Sequence, residues 1–171
     1  MPCCLLLAAT AVLCCCVQGL KNGVYHGKQT QYRLAAPPKS WKAIRARQAN
    51  LAWLNTDGSL LMTNSLCKRS DAPLQALANH LLMGMRDVRV VRKHLMQLSD
   101  RQALQLHVDA QLDGVARSLL MLVLKKDGCV YDIVLATAPQ NVAKHQQTYN
   151  NMVASFDVAS RLEALKEQAL Q

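Results

Sequence analysis

The chain has 171 residues, about half of them apolar and only 4% aromatic, which points to one domain with an aliphatic core and excludes a disordered chain. Its formal net charge is +9, nearly all of it in residues 17–70, where nine Lys/Arg stand against a single acid, Asp57. Those cations are scattered and lack the interleaved aromatics or glycines of a nucleic-acid reader, so no nucleic-acid partner is expected and a solvated face near an anionic membrane fits better.

Residues 3–17 read CCLLLAATAVLCCCV, with Thr10 the one polar interruption. As a helix they would span about 22 Å, short of the roughly 30 Å of a bilayer core. That length suits the apolar region of a signal peptide, although no Lys or Arg precedes it. The run closes on Leu13-Cys14-Cys15-Cys16. This resembles the four-residue box of bacterial lipoprotein signals, with cysteines in place of the usual small residues. The acyl-glyceryl group is attached through sulfur, so the box needs a thiol at its end. Cys16 is the candidate for lipidation, and Cys15 is the alternative, in the frame Val12-Leu13-Cys14-Cys15. Cys14 is the poorest choice because bulky Leu13 would precede the cut. Several acyl chains, at about 0.8 kcal/mol per buried methylene, hold a protein on a membrane where one does not. Val17 stands where an inner-membrane retention signal would have Asp, so the outer membrane is the default address. A signal removed whole, and an uncleaved anchor or intracellular start, remain open beside this reading.

The resulting division is a signal over 1–16, a tether over 17–22, a domain over 23–156 and an amphipathic helical tail over 157–171. Within the domain, short strands over 23–26 and 31–35 flank a Gly27-Lys28 turn. Pro37-Pro38 ends that pair, and Ser40-Trp41-Lys42 begins a turn or short helical piece. Residues 50–54 and 59–66 form a hairpin around Asn55-Thr56-Asp57-Gly58, where Asp-Gly is the turn signal. Over 71–85, Leu74, Leu77, Ala78, Leu81, Leu82 and Met85 recur at helical spacing behind Pro73. A shorter strand or loop over 88–98 joins this helix to a meander of strands. Residues 102–112 alternate, with Leu104, Leu106, Val108, Ala110 and Leu112 on one side and Gln105, His107, Asp109 and Gln111 on the other. Residues 119–124 are continuously apolar, as in a central strand, and Lys126-Asp127-Gly128 turns the chain into a returning strand over 129–137. Pro139 opens a second helix whose inner stripe is Val142, His145, Tyr149, Met152, Val153 and Phe156. Antiparallel strands and two amphipathic helices make an α+β fold, the helices covering the sheet.

Removal of the signal leaves two cysteines, Cys67 and Cys129, and an even count in an exported domain suggests one disulfide. Two buried free thiols are the other reading. No CxxC motif or Cys/His cluster accompanies either, so no metal or cofactor is expected.

Five features together resemble the PsbP-like fold. They are the initial hairpin, the turn from Pro38 to Trp41, a helix opening in Asp71-Ala72-Pro73-Leu74, the meander, and a closing helix ending in Ser155-Phe156. That fold is an α/β/α sandwich around an antiparallel sheet. Small uncharacterised bacterial lipoproteins are similar still more closely, through Asp71-Ala72-Pro73-Leu74, Leu112-Asp113-Gly114 and Cys129-Val130-Tyr131-Asp132. The resemblance covers 23–156 and implies a non-enzymatic domain that binds or helps assemble a partner protein. It carries over no functional residue.

Catalytic motifs are absent from the sequence: no G-x-S-x-G, P-loop, GxGxxG or H-E-x-x-H occurs. The five histidines are spread out, and His80 and His145 fall on helix flanks. His107 and Asp109 share the outward face of one strand, about 7 Å apart. With Arg117 they define the alternative function, a small secreted or periplasmic enzyme working on the sheet face. An ordinary polar strand face is the plainer account. Asp132 reads as a polar break in its strand or a salt-bridge partner of Lys125 or Lys126. The principal expectation is a lipid-anchored protein of the bacterial envelope that binds a protein or envelope component.

Overall fold

The chain folds where its apolar residues can alternate. The computed structural model describes residues 19–27, 29–68 and 71–158. Three short strands come first: β1 (Leu20–Lys21), β2 (Val24–His26) and β3 (Gln31–Arg33). Next come β4 (Trp41–Ile44), β5 (Leu51–Asn55) and β6 (Leu60–Leu66). Helix α1 (Leu74–His80) precedes four long strands, β7 (Arg86–Leu98), β8 (Arg101–Leu112), β9 (Val115–Lys126) and β10 (Cys129–Thr137). One 3-10 turn, Pro139–Asn141, leads into α2 (Val142–Ser155).

The strands form two antiparallel sheets, one in the order β1-β2-β3 and one in the order β4-β5-β6-β10-β9-β8-β7. Turn chemistry sets the register of the large sheet. Asp113 and Gly114 have φ of 51° and 78°, and Asp127 and Gly128 have 53° and 77°. Two consecutive left-handed residues make the tight hairpin turn whose twist matches that of the strands. Gln111 and Leu112 therefore face Ala116 and Val115, and Cys129 faces Lys126.

Strand β9 separates two apolar clusters by its period of two. Leu120, Leu122 and Leu124 join Ile133, Leu135 and the Tyr149, Met152 and Val153 stripe of α2. Leu119, Met121 and Val123 join Leu104, Leu106, Val108 and Ala78 of α1. Leu122, Leu124, Ile133 and Leu135 are completely buried, each stabilising by about 1.5–3 kcal/mol relative to exposure.

Four elements differ from the sequence expectation. Trp41 starts a strand, not a turn or helical piece, because its backbone pairs with Asn55 while its indole packs under α2. The helix expected over 71–85 is regular only for Leu74–His80 and continues as turns to Gly84, whose φ is 86°. Asn79 and His80 are weak helix formers, and Leu81, Leu82 and Met85 still reach the sheet from those turns. The strand or loop over 88–98 is a 13-residue edge strand with register shifts between Arg86 and Arg89 and between Val90 and Arg92. Leu20 and Lys21, assigned to the tether, pair with Tyr25 and Val24. Past α2, Asp157 exchanges backbone hydrogen bonds with Arg33 at 2.7 and 3.0 Å, and Val158 is buried. The remainder of the expected tail, 159–171, lies outside the described residues, as do the lipidation candidates Cys15 and Cys16.

Candidate functional site

The register of β7, β8 and β9 brings one polar cluster together on the α2 side of the sheet. Arg89 faces Asp109, and Asp109 faces Ser118, across adjacent strands. Arg89 Nη2 donates to Asp109 Oδ2 at 2.6 Å, and Ser118 Oγ donates to Asp109 Oδ1 at 2.5 Å. The Ser118 hydroxyl, opposed by burial and aided by the Arg89 guanidinium, holds the Asp109 carboxyl below its usual range. His107 lies one pair further along, its Nε2 3.8 Å from Asp109 Oδ1. That separation is beyond hydrogen-bond reach, so Asp109 does not orient the imidazole as a catalytic partner would. The His107 Nε2 atom is buried without a hydrogen-bond partner among the described residues.

Arg117 does not belong to this cluster. It pairs with Ala110, whose side chain lies in the α1 cluster, so it occupies the other face of the sheet. Arg89 takes the place expected of it. The signal for Arg89 was its spacing on a strand, and that strand has two register shifts that hide the spacing. The sheet-face site as drawn from His107, Asp109 and Arg117 is therefore incorrect in one of its three members.

A second constellation was not anticipated. His145 is buried on α2, and its Nε2 lies 2.7 Å from Asp57 Oδ2 in the β5–β6 turn. Lys144 Nζ donates to the same oxygen at 2.8 Å, and the Ser59 backbone N–H donates to Asp57 Oδ1 at 3.1 Å. Burial works against the charged form, but the bonds from Lys144, Ser59 and His145 outweigh it and hold the carboxyl far below the usual range. The ring of Trp41 stands edge-on to His145 with centroids 4.9 Å apart. The grouping pins the start of α2 to the sheet and leaves its imidazole closed off from solvent, a structural arrangement. One hint was present in the sequence: Asp57 is the lone acid among nine cations of residues 17–70.

At the opposite end of the large sheet, Cys67 and Cys129 are joined in a disulfide. Among the described residues, Asp132 makes no ion pair with Lys125 or Lys126, contrary to one of the two sequence readings. Lys125 Nζ donates to the Ala72 carbonyl at 3.0 Å, and Lys126 Nζ donates to the Val158 carbonyl at 2.8 Å. Among the described residues, no group of three or more His, Cys, Asp or Glu is arranged to hold a metal ion. None of the described helices is long and apolar enough to cross a membrane.

No protein-family model matches the sequence, and no curated protein does. Solved structures do match. The chain is similar to the solution structure of cyanobacterial PsbP (CyanoP) from Synechocystis sp. PCC 6803, with a TM-score of 0.59 at 15% identity, over 80% of this chain and 91% of that one. It is also similar to LpqN, described as involved in cell envelope biogenesis of Mycobacterium tuberculosis, with a TM-score of 0.61 at 12% identity, over 78% of this chain and 87% of that one. The fold is PsbP-like. At these identities the likeness concerns backbone architecture, and the cluster around Asp109 and the clamp at Asp57 are described from this chain alone. The PsbP-like body is a mostly antiparallel sheet with two helices, and the α2 side of the sheet carries His107 Nε2, buried without a hydrogen-bond partner among the described residues.

Proposed function

We propose that this chain is a lipid-anchored protein of the bacterial envelope whose non-enzymatic PsbP-like domain binds, or helps assemble, a partner protein or envelope component. In this reading α1 and α2 cover opposite faces of the sheet as an α/β/α sandwich, and the polar clusters serve packing and recognition. The observation that carries the proposal is the run of cysteines at 14–16, closing an apolar segment three residues before Gly19, whose carbonyl accepts from the His26 N–H. An export-and-acylation address set so close to a folded body would hold that body against the membrane. LpqN, similar in fold, has a described role in cell envelope biogenesis, which supports the same compartment. The disulfide supports an oxidising one. Val17 after Cys16 favours the outer membrane over the inner.

Metabolic labelling with a fatty acid, with and without the signal-peptidase inhibitor globomycin, tests the anchor. Label is expected on the wild-type chain and is lost in Cys16→Ala. Label lost in Cys15→Ala alone would move the attachment by one residue. A native protein that keeps Met1 and carries no acyl chain would end the envelope assignment. Cross-linking in cells then identifies the partner.

A further inference from the structure

The two edges of the large sheet are unequal: β4 has four residues and β7 has 13. Both register shifts of β7 lie before Arg92. From Arg92 to Leu98 the strand pairs with β8 residue for residue, Arg92 with His107 through to Leu98 with Arg101. A regular stretch of this length spans about 23 Å. Alternate residues of an edge strand turn their N–H and C=O groups away from the neighbour they pair with. On the outer side of β7 no strand among the described residues meets them. Met96 and Leu98 are half-buried, and the other residues of the stretch are exposed. The pairing also sorts the side chains by face. Arg92 and His94 lie opposite His107 and Gln105 on the α2 side, and Lys93 and Leu95 lie opposite Leu106 and Leu104 on the α1 side. The stretch holds no acid. Among the described residues the ion pairs form at Asp57 and Asp109, so Arg92 and Lys93 have no carboxylate partner there.

We propose that Arg92–Leu98 is the docking edge for an extended acidic segment of a partner protein, which adds to the large sheet as a further strand. This deepens the partner-binding reading above and rests on it, though not on the lipid anchor. In strand addition the main-chain hydrogen bonds supply affinity and the alternating side chains supply specificity. Adjacent carboxylates on the incoming segment meet Arg92 on one face and Lys93 on the other, and an apolar residue follows against Leu95. Charge decides against a second copy of this chain as the occupant. Two copies paired along the stretch would gather two sets of Arg92, Lys93 and His94 on one seam, where like charges facing across strands repel. The charges that keep copies apart therefore select an acidic strand. The bulges between Arg86 and Arg92 break regular pairing, which fixes where the added segment stops.

The test is a titration of the full chain, labelled with 15N, by an end-capped peptide of alternating Glu and Val as long as the stretch. The amide signals of residues 92–98 are expected to shift and saturate, and hydrogen exchange is expected to slow at alternate positions among them. A Lys/Val peptide should bind at least about tenfold more weakly, on the scale of two exposed ion pairs turned into repulsions. So should the Glu/Val peptide N-methylated at every amide, which keeps the carboxylates and loses the backbone donors. Arg92→Glu/Lys93→Glu should invert the preference, binding the Lys/Val peptide and losing the Glu/Val one. Its amide signals outside β7 and β8, unchanged from wild type, show that it is folded. No saturation, shifts centred away from β7, or equal binding of the N-methylated peptide would overturn the docking edge. So would a tenfold gain in affinity on deleting 159–171, which would make the chain's own tail the occupant. Cross-links in cells that map to another face remove this edge and leave the binding function; peptide binding here by a chain that is never acylated removes the anchor and leaves the edge.

Discussion

Asp57 and Asp132 are carboxylates of the same sheet placed in opposite surroundings. Asp57 accepts from Lys144, His145 and Ser59, and its folded pKa lies far below its unfolded one. A depressed carboxylate contributes stability that is present above the ordinary carboxylate range and is lost as pH falls through the folded value. Among the described residues Asp132 has no such partners, and burial pushes its carboxyl up to about 6. Its folded state then binds a proton more readily than its unfolded state. The penalty for ionising it grows from about pH 4 to about pH 6 and stays constant above. The two substitutions should therefore act with opposite sign. At pH 7.5, Asp57→Asn lowers the unfolding free energy by about 1–3 kcal/mol, since it also leaves His145 Nε2 buried with a poorer partner. At the same pH, Asp132→Asn raises it by about 1 kcal/mol. Near pH 3 the first deficit narrows and the second gain disappears. Guanidinium unfolding at the two pH values measures both, and a shared sign at pH 7.5 would contradict this account.

Strand β7 is the element whose chemistry most needs explaining, because an edge strand of 13 residues offers unpaired backbone to any passing strand. It carries Arg86, Asp87, Arg89, Arg92 and Lys93, and two register shifts bend it. These are the devices that keep edges from pairing, and they guard exposed apolar neighbours at Val90, Val91 and Leu95. Replacing Arg92 and Lys93 together with Val should raise the molar mass above that of the wild type, read by light scattering after size exclusion. A variant whose molar mass matches the wild type's at high concentration would show that the bulges alone suffice. The same features explain which elements were legible in the sequence. β8, β9 and β10 each bury one or both faces, so their apolar residues recur at period two or run continuously. β7 is exposed along nearly all its length, and no burial imposes a pattern on it. Its reading as a short strand or loop followed, and with it the choice of Arg117 over Arg89. The Asp57–His145 contact joins residues 88 apart in sequence and depends on where α2 crosses the sheet, which no local pattern encodes. The PsbP-like architecture was legible because its turns and its helix starts are marked by Asp-Gly and proline.

For the molecule as a whole, the Cys67–Cys129 bond encloses most of what holds the fold together. The two cysteines are 62 apart, and α1, β7, β8 and β9 lie between them. In the folded state the bond adds little new contact, since Leu66 and Val130 are already paired at the ends of β6 and β10. Its effect falls on the unfolded chain, whose freedom is cut by a closed loop of this length. In the chain-entropy account that stabilises by about 4 kcal/mol. Domains of this size have only about 5–15 kcal/mol in total, so the bond should be a large share of it. Of the two apolar clusters on either side of β9, the cysteines touch only the α2-side one, where Cys129 is buried and Cys67 packs at its margin, so the reduced chain should still fold at 25 °C. Guanidinium unfolding with and without reductant, and of Cys67→Ala/Cys129→Ala, should show a clearly lower midpoint in both cases with the cooperative transition retained. The double variant should lose slightly more than the reduced chain, because Cys129 is buried and the substitution removes a packed sulfur. An oxidised and a reduced chain with the same midpoint would mean that the unfolded state is already constrained at this point, and the entropic argument would have to be abandoned.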